Sequence, residues 1–241
     1  MKVALIGGTG VQQLPGWVPS IEHCYEGEVY LWEGTLHGEP ALLLPRHSKG
    51  HKVPPHRIPH ARHVQLLKEL GVQAVLATAA VGSLRPDWTS GTLAVLSDFL
   101  DFTRAVNTLY DDTVVHTDFS EPFSPLLRAR LLQAAEELGL TVQPQAVYVC
   151  VPGPRYETPA EIRMFRQLGG DVIGMTVVPE AVLCREAGIH YAAVAVVTNL
   201  GTGLSERPLT HDEVTQVMEE ATATLARWFA HTLRLLRTQA H

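Results

Sequence analysis

The chain has 241 residues, 46% hydrophobic and 18% charged, which fits one large α/β domain or two small ones with a sizeable buried core. Its net charge of −6 argues against general affinity for nucleic acid phosphates, though not against a local cationic pocket. No apolar run is long enough to span a membrane, residues 1–6 are too short for the apolar region of a signal peptide, and three cysteines (Cys24, Cys150, Cys184) that cannot all pair point to a reducing, cytoplasmic compartment.

Residues 2–6 read as a short buried strand running into Gly7-Gly8-Thr9-Gly10. A glycine-rich turn there lets backbone N–H groups approach an anion, and Thr9 adds a hydroxyl; a plain tight turn fits as well. The dinucleotide pattern is incomplete. Its third glycine is missing, Pro15 and Gly16 interrupt any helix, and no phosphate-loop Gly-Lys-Ser/Thr follows. Residues 29–36 and 41–44 form a hairpin around Gly38. Then comes a basic stretch, 45–60, rich in histidine and proline. Arg46 offers a planar fork for phosphate, and His47 a further donor. Composition favours a solvated basic loop over an oxyanion-binding loop able to close over a site. Metal binding fits least, because the prolines break the helix that would face the histidines together and no acidic or Cys partner is near.

Apolar spacing predicts a helix over 60–70, ended by Gly71, and a buried strand over 72–80, with Val81-Gly82-Ser83 turning away. The small Ala79 and Ala80 let backbone touch a ligand there. Residues 92–97 form another strand. The stretch 104–124 has no period, holds Tyr110, His116, Phe119 and Phe123, and reads as a surface excursion used for function or contacts. Ser124-Pro125 caps a helix closed by Gly139. A β-branched run over 147–151 stops at Pro152-Gly153-Pro154, and Thr158-Pro159-Ala160-Glu161 opens a helix with a capping box. Between them lie Arg155, Tyr156 and Glu157. An aromatic face beside a carboxylate can stack a flat ring and read its edge, but these residues alone favour a packed tyrosine and a solvated glutamate.

Residues 171–176 form a strand ending in Met175 and Thr176, and Pro179-Glu180 starts a helix that ends near Gly188. Residues 191–198 form a buried strand ended by Asn199. Thr210-His211-Asp212-Glu213 is a second capping box, opening a last helix whose apolar stripe from Val214 to Leu236 is core. With no repeat or linker, the chain reads as one α/β domain over 1–241. Thr9, Arg46, His47, Ala80, Tyr156, Glu157, Met175, Thr176 and Asn199 all fall at strand ends, which argues for one site.

Gly7-Gly8-Thr9-Gly10, Arg46-His47, Ala79-Ala80-Val81-Gly82-Ser83, Gly153-Pro154-Arg155-Tyr156-Glu157-Thr158, Gly174-Met175-Thr176-Val177-Val178-Pro179-Glu180 and Thr198-Asn199 occur in this order. In these motifs the chain resembles, over nearly its whole length, the trimeric purine nucleoside phosphorylases and methylthioadenosine phosphorylases. The resemblance implies a central mixed β-sheet flanked by helices, and reversible phosphorolysis of a purine nucleoside to free base and ribose 1-phosphate. It implies that Thr9, Arg46, His47, the Ala80 backbone and Thr176 hold phosphate, that Met175 packs on the ribose, and that Tyr156 lies against a purine read by Asn199 and Glu157. It matches His116 to a residue entering the neighbouring subunit's site of a homotrimer, and His211 to a histidine near the ribose 5′ group. Phosphate is a co-substrate, and no metal or organic cofactor is implied. Ala79 stands where the methylthioadenosine branch has Thr, and Gly201 where it has a second Asp. The base-reading residues, Asn199 and Glu157, suit 6-oxopurines (inosine, guanosine). Methylthioinosine or methylthioadenosine phosphorolysis is the alternative within the class. A catalytically silent nucleoside-binding protein is opposed by intact Arg46, His47 and Asn199, and a nicotinamide-dependent oxidoreductase rests only on the incomplete glycine motif.

Overall fold

The computed structural model describes residues 1–8, 14–25, 29–205 and 211–238. Strand β1 (Val3–Gly7) is buried along its whole length, as a strand with no polar alternation must be when both faces are covered. It lies between β4 (Glu39–Pro45) and β5 (Ala74–Ser83), parallel to both. Beyond β4 follow antiparallel β3 (Val29–Leu36) and β2 (Trp17–Tyr25). His37 and Gly38 join β3 to β4 with φ of 48° and 84°, the paired left-handed residues of a tight hairpin turn.

On its other side β5 pairs in parallel with β11 (His190–Leu200), which carries the short β6 (Leu93–Val95) and, beyond it, β8 (Val142–Gln143). At its far end β5 pairs antiparallel with β10 (Val172–Gly174), and β10 continues into parallel β9 (Val147–Cys150) and β7 (Asp98–Asp101). The described strands thus form one mixed sheet.

Alternation along β5 separates two cores. Val75, Ala77, Ala79 and Val81 pack with α1 (His60–Glu69) and α4 (Val177–Glu186), while Ala74 and Leu76 pack with α2 (Pro125–Glu137) and α5 (His211–Thr238). The buried Trp228 ties α5 to α2 through its indole N–H, which donates to the Leu131 carbonyl at 2.7 Å. Helix α3 (Pro159–Gln167) covers a third cluster, setting Ile162 and Phe165 on Val149, Val151 and Ile173.

Four local expectations are corrected. Strand β2 was not expected: it is largely exposed, carries Pro19 and a register shift, and so lacks the alternation that marks a core strand. Strand β7 adds four residues beyond the strand expected at 92–97. Gly82 and Ser83 do not turn away; they stay in β5, paired with β10 on one side and β11 on the other. Helix α4 begins at Val177, so Pro179 is its third residue. Proline is tolerated there because first-turn N–H groups have no partner within the helix.

Candidate active site

Along β5, pairing with β1 ends at Ile6↔Ala77 and pairing with β10 begins at Ile173↔Gly82. Over residues 78–81 the sheet opens. Because β10 runs antiparallel to β5, the C-terminal ends of β9 and β10 point back at those of β1, β4 and β11. A cavity of about 500 Å³ lies at this meeting point, a size suited to a small ligand. Every strand end that borders it contributes: Gly8 after β1, Arg46 and His47 after β4, Tyr156 and Glu157 after β9, Met175 and Thr176 after β10, Thr198 and Asn199 on β11. Ala80 lines it from β5 itself, whereas Ala79 points into the core.

Arg46 and His47 form a cationic and polar end. The Arg46 guanidinium is buried, donating from Nε and Nη2 to the Glu180 carboxylate (2.5 and 2.9 Å) and from Nη1 to the Thr78 carbonyl (2.8 Å). Burial opposes its charge, but the Glu180 carboxylate keeps it protonated. His47 Nδ1 lies 2.8 Å from the Val53 carbonyl. A carbonyl only accepts, so Nδ1 carries the proton. Burial, then the Arg46 charge, push the His47 pKa down to about 4. The ring is therefore neutral at pH 7, and its Nε2 edge is an acceptor in the free protein, not the donor expected from sequence. A Cβ on Gly8 would stand 3.4 Å from His47 Nε2 and 3.5 Å from Arg46 Nη1. Glycine keeps that space open between the two side chains. Thr176 sits at the N-cap of α4, but its side chain makes no capping bond; its backbone N–H donates to the Tyr148 hydroxyl at 3.3 Å. Its hydroxyl is left to the cavity that it lines.

The His47 segment is an ordered loop. Val53 N–H donates to the His47 carbonyl at 3.0 Å, closing a ring of two bonds with the Nδ1 contact, and His51 stacks on His47 at 4.2 Å. Among the described residues its histidines form no group that could hold a metal.

The opposite end is aromatic and amide-bearing. Glu157 is buried and its pKa is raised, first by burial and then by the charge of Glu161. The charge of Arg155 offsets this only in part, because its guanidinium is held in a bidentate pair with Glu161 (2.9 and 2.8 Å). Tyr156 is 39% exposed and presents its ring to the cavity. Asn199 is aimed by a bulge: Val197 pairs with Val81 but Asn199 with Gly82, which leaves Thr198 as the extra residue. Its Oδ1 accepts from the Thr198 hydroxyl (2.8 Å) and its Nδ2 donates to the Leu200 carbonyl (2.9 Å). Each amide atom keeps one more hydrogen bond in reserve. Met175 lies between the two ends; a Cβ on Gly153 would run into its sulfur, and with φ of 63° that position favours glycine.

Of the residues picked from sequence, Arg46, His47, Ala80, Tyr156, Glu157, Met175, Thr176 and Asn199 thus line one cavity. His116 is exposed on the excursion and does not reach it within one chain. Thr9, and the second capping box with Thr210, lie outside the described residues, as does the side chain of His211; Val214, one turn along α5, does line the cavity. Gly201 is held tightly: its N–H donates to the Ser83 carbonyl at 2.7 Å, and a Cβ would meet Ile162 Cδ1 at 3.0 Å and that carbonyl at 3.2 Å, so an aspartate there would need these neighbours to give by a few tenths of an ångström. Sequence reasoning missed Thr198 and Glu180. The signal for Glu180 was available, since it is the lone charge in the apolar run Val177-Val178-Pro179-Glu180-Ala181-Val182-Leu183-Cys184.

A family model for the phosphorylase superfamily matches residues 2–234. A probable 6-oxopurine nucleoside phosphorylase of Moorella thermoacetica is 46% identical over 228 residues, covering 91% of this chain and 87% of that protein. A probable S-methyl-5′-thioinosine phosphorylase of Methanopyrus kandleri is 47% identical over 222 residues, covering 91% of this chain and 86% of that one. Among solved structures, the methylthioadenosine phosphorylase of Schistosoma mansoni in complex with adenine matches with a TM-score of 0.91 at 29% identity, covering 99% of this chain and 93% of the other.

Proposed function

The chain belongs to the phosphorylase superfamily, and on that basis we propose that it catalyses the reversible phosphorolysis of 6-oxopurine nucleosides such as inosine and guanosine, giving free base and ribose 1-phosphate for purine salvage. One observation carries this reading: a single cavity joins an anion-competent end at Arg46, His47 and Thr176 to a base-reading end at Tyr156, Glu157 and Asn199, with Met175 between them.

Phosphate sits against Arg46, His47, the Ala80 backbone and Thr176, with Thr9 as a further ligand. A phosphate oxygen bonds to C1′ as the C1′–N9 bond breaks, and the bonding pair leaves on the purine. Hydrogen phosphate gives up its proton, and the departing base gains one at N7. The bare Nε2 of His47 accepts the hydrogen bond from the phosphate O–H. Asn199 Oδ1 accepts from N7–H and Nδ2 donates to O6, while Glu157 accepts from N1–H. Positioning and preorganised hydrogen bonds are enough for this chemistry, so no metal or organic cofactor and no covalent enzyme intermediate is required. We further propose a cytoplasmic homotrimer in which His116 enters a neighbouring site and His211 lies near the ribose 5′ group.

The test is release of hypoxanthine from inosine with and without inorganic phosphate. The reading predicts release that requires phosphate and yields ribose 1-phosphate in equal amount. Phosphate-independent release, or none, contradicts it. A second reading, phosphorolysis of 5′-methylthioinosine or 5′-methylthioadenosine, is favoured by the apolar cavity wall at Val53, Pro54, Pro55 and Val214, which suits a thioether in place of a 5′ hydroxyl.

A further inference from the structure

Glu180 is 1% exposed and does not line the cavity. A buried carboxylate is costly unless it is fully paired, so its partners are informative. Arg46 donates to both of its oxygens, from Nε at 2.5 Å and Nη2 at 2.9 Å. The Tyr191 hydroxyl, reaching from β11, donates to Oε2 at 2.7 Å. His60 Nδ1 stands 3.8 Å from Oε1, beyond hydrogen-bond reach. Burial opposes ionisation of Glu180, but Arg46 prevails and holds the carboxyl below its ordinary range.

This arrangement does more than neutralise a charge. A bidentate carboxylate fixes the plane of a guanidinium, because Nε–H and one Nη2–H must both point at it. The Thr78 carbonyl then fixes the rotation at Nη1. A guanidinium carries five N–H groups, and three are committed in this way. One remains on Nη1 and one on Nη2. Nη1 borders the space that Gly8 keeps open beside His47. The carboxylate also lets a buried cation persist while no anion is bound.

We propose that Glu180 and Tyr191 are positioning residues for the anion site: Glu180 locks the Arg46 guanidinium in the plane from which its two remaining N–H groups meet phosphate, and Tyr191 locks Glu180. The inference rests on the reading of Arg46 as a phosphate ligand. A purely structural pin would differ in one respect. Weakening it would lower stability while leaving the kinetics of the folded enzyme unchanged for both substrates.

The experiment measures KM for phosphate and for inosine separately in Glu180→Gln, Tyr191→Phe and Arg46→Ala, with thermal melts alongside and phosphate binding followed by calorimetry. Glu180→Gln keeps the shape but loses the charge and one acceptor lobe. It should raise the phosphate KM roughly tenfold or more, with the inosine KM changed by less than about twofold. Tyr191→Phe leaves the ion pair intact and should raise the phosphate KM by about threefold. Unchanged phosphate KM in both variants, with Arg46→Ala raising it, overturns the positioning role while Arg46 stands as a ligand. Unchanged phosphate KM in Arg46→Ala overturns the reading beneath it. If Glu180→Gln does not fold, Tyr191→Phe decides: a phosphate-selective rise supports the role, and no change or an equal effect on both substrates overturns it.

Discussion

The Asn199 amide has one donor and one acceptor left after its bonds to Thr198 and Leu200, and Glu157 lies buried while its neighbour Arg155 is hydrogen-bonded to Glu161 instead. That pairing suits a base with a carbonyl at C6 and a proton on N1. An adenine base would set its amine against Nδ2 and leave the carboxylate without a donor. Each unpaired buried group costs about 1–3 kcal/mol, more when charged. Two such mismatches give roughly 10²- to 10⁴-fold discrimination. The Asn199→Asp variant, whose carboxylate only accepts, should move preference toward 6-amino purines. Paired kcat/KM values for inosine and adenosine in wild type and variant check this. An unchanged ratio would mean that Asn199 does not read the C6 substituent.

Helix α1, packed against α4, carries a different chemistry. It buries His60 and His63, whose Nδ1 atoms have no hydrogen-bond partner. Burial lowers their pKa values to about 4 and about 3. Unfolded histidine titrates near 6.5. Between these values the unfolded chain binds more protons than the folded one, so the stability present above about pH 6.5 is lost as pH falls through 4. His47, whose pKa is likewise lowered to about 4, adds a third proton, and the slope from the three is at most about 4 kcal/mol per pH unit. Urea midpoints measured from pH 7 to pH 4 should fall steeply, and a flat profile would mean that these histidines are paired or solvated. The elements themselves could mostly be read from sequence, because β1 and β9 are apolar throughout, β5 and β11 are apolar over most of their length, and α3 carries its own cap. Pairing could not. That β5 exchanges β1 for β10 along one edge depends on partners distant in sequence, and this exchange opens the site. The lone charge of Glu180 in its apolar run marks it in sequence, but its partner Arg46, 134 residues away, does not show there.

Across the whole molecule, one cavity gathers residues from the ends of β1, β4, β9, β10 and β11, yet His116 stays outside it, on an excursion whose Val106 and Val114 are 90% and 85% exposed. Helix α4 anchors that excursion from behind. The Glu186 carboxylate accepts from the Thr108 hydroxyl at 3.0 Å, and Arg185 Nε donates to the Asp118 carbonyl at 3.1 Å. Exposed apolar side chains on a pinned segment suit a second copy of the chain as partner. On the proposed homotrimer, sedimentation should give a trimer, and His116→Ala should weaken nucleoside binding without unfolding the protein; a fully active monomer would rule this out. The proposed reaction and its choice of base are decided by kcat/KM for inosine, guanosine, adenosine and their 5′-methylthio forms, measured side by side at saturating phosphate. The 6-oxopurine members should exceed their 6-amino counterparts by roughly 10²-fold or more, whichever 5′ group is preferred. Equal efficiency on adenosine or methylthioadenosine would contradict it.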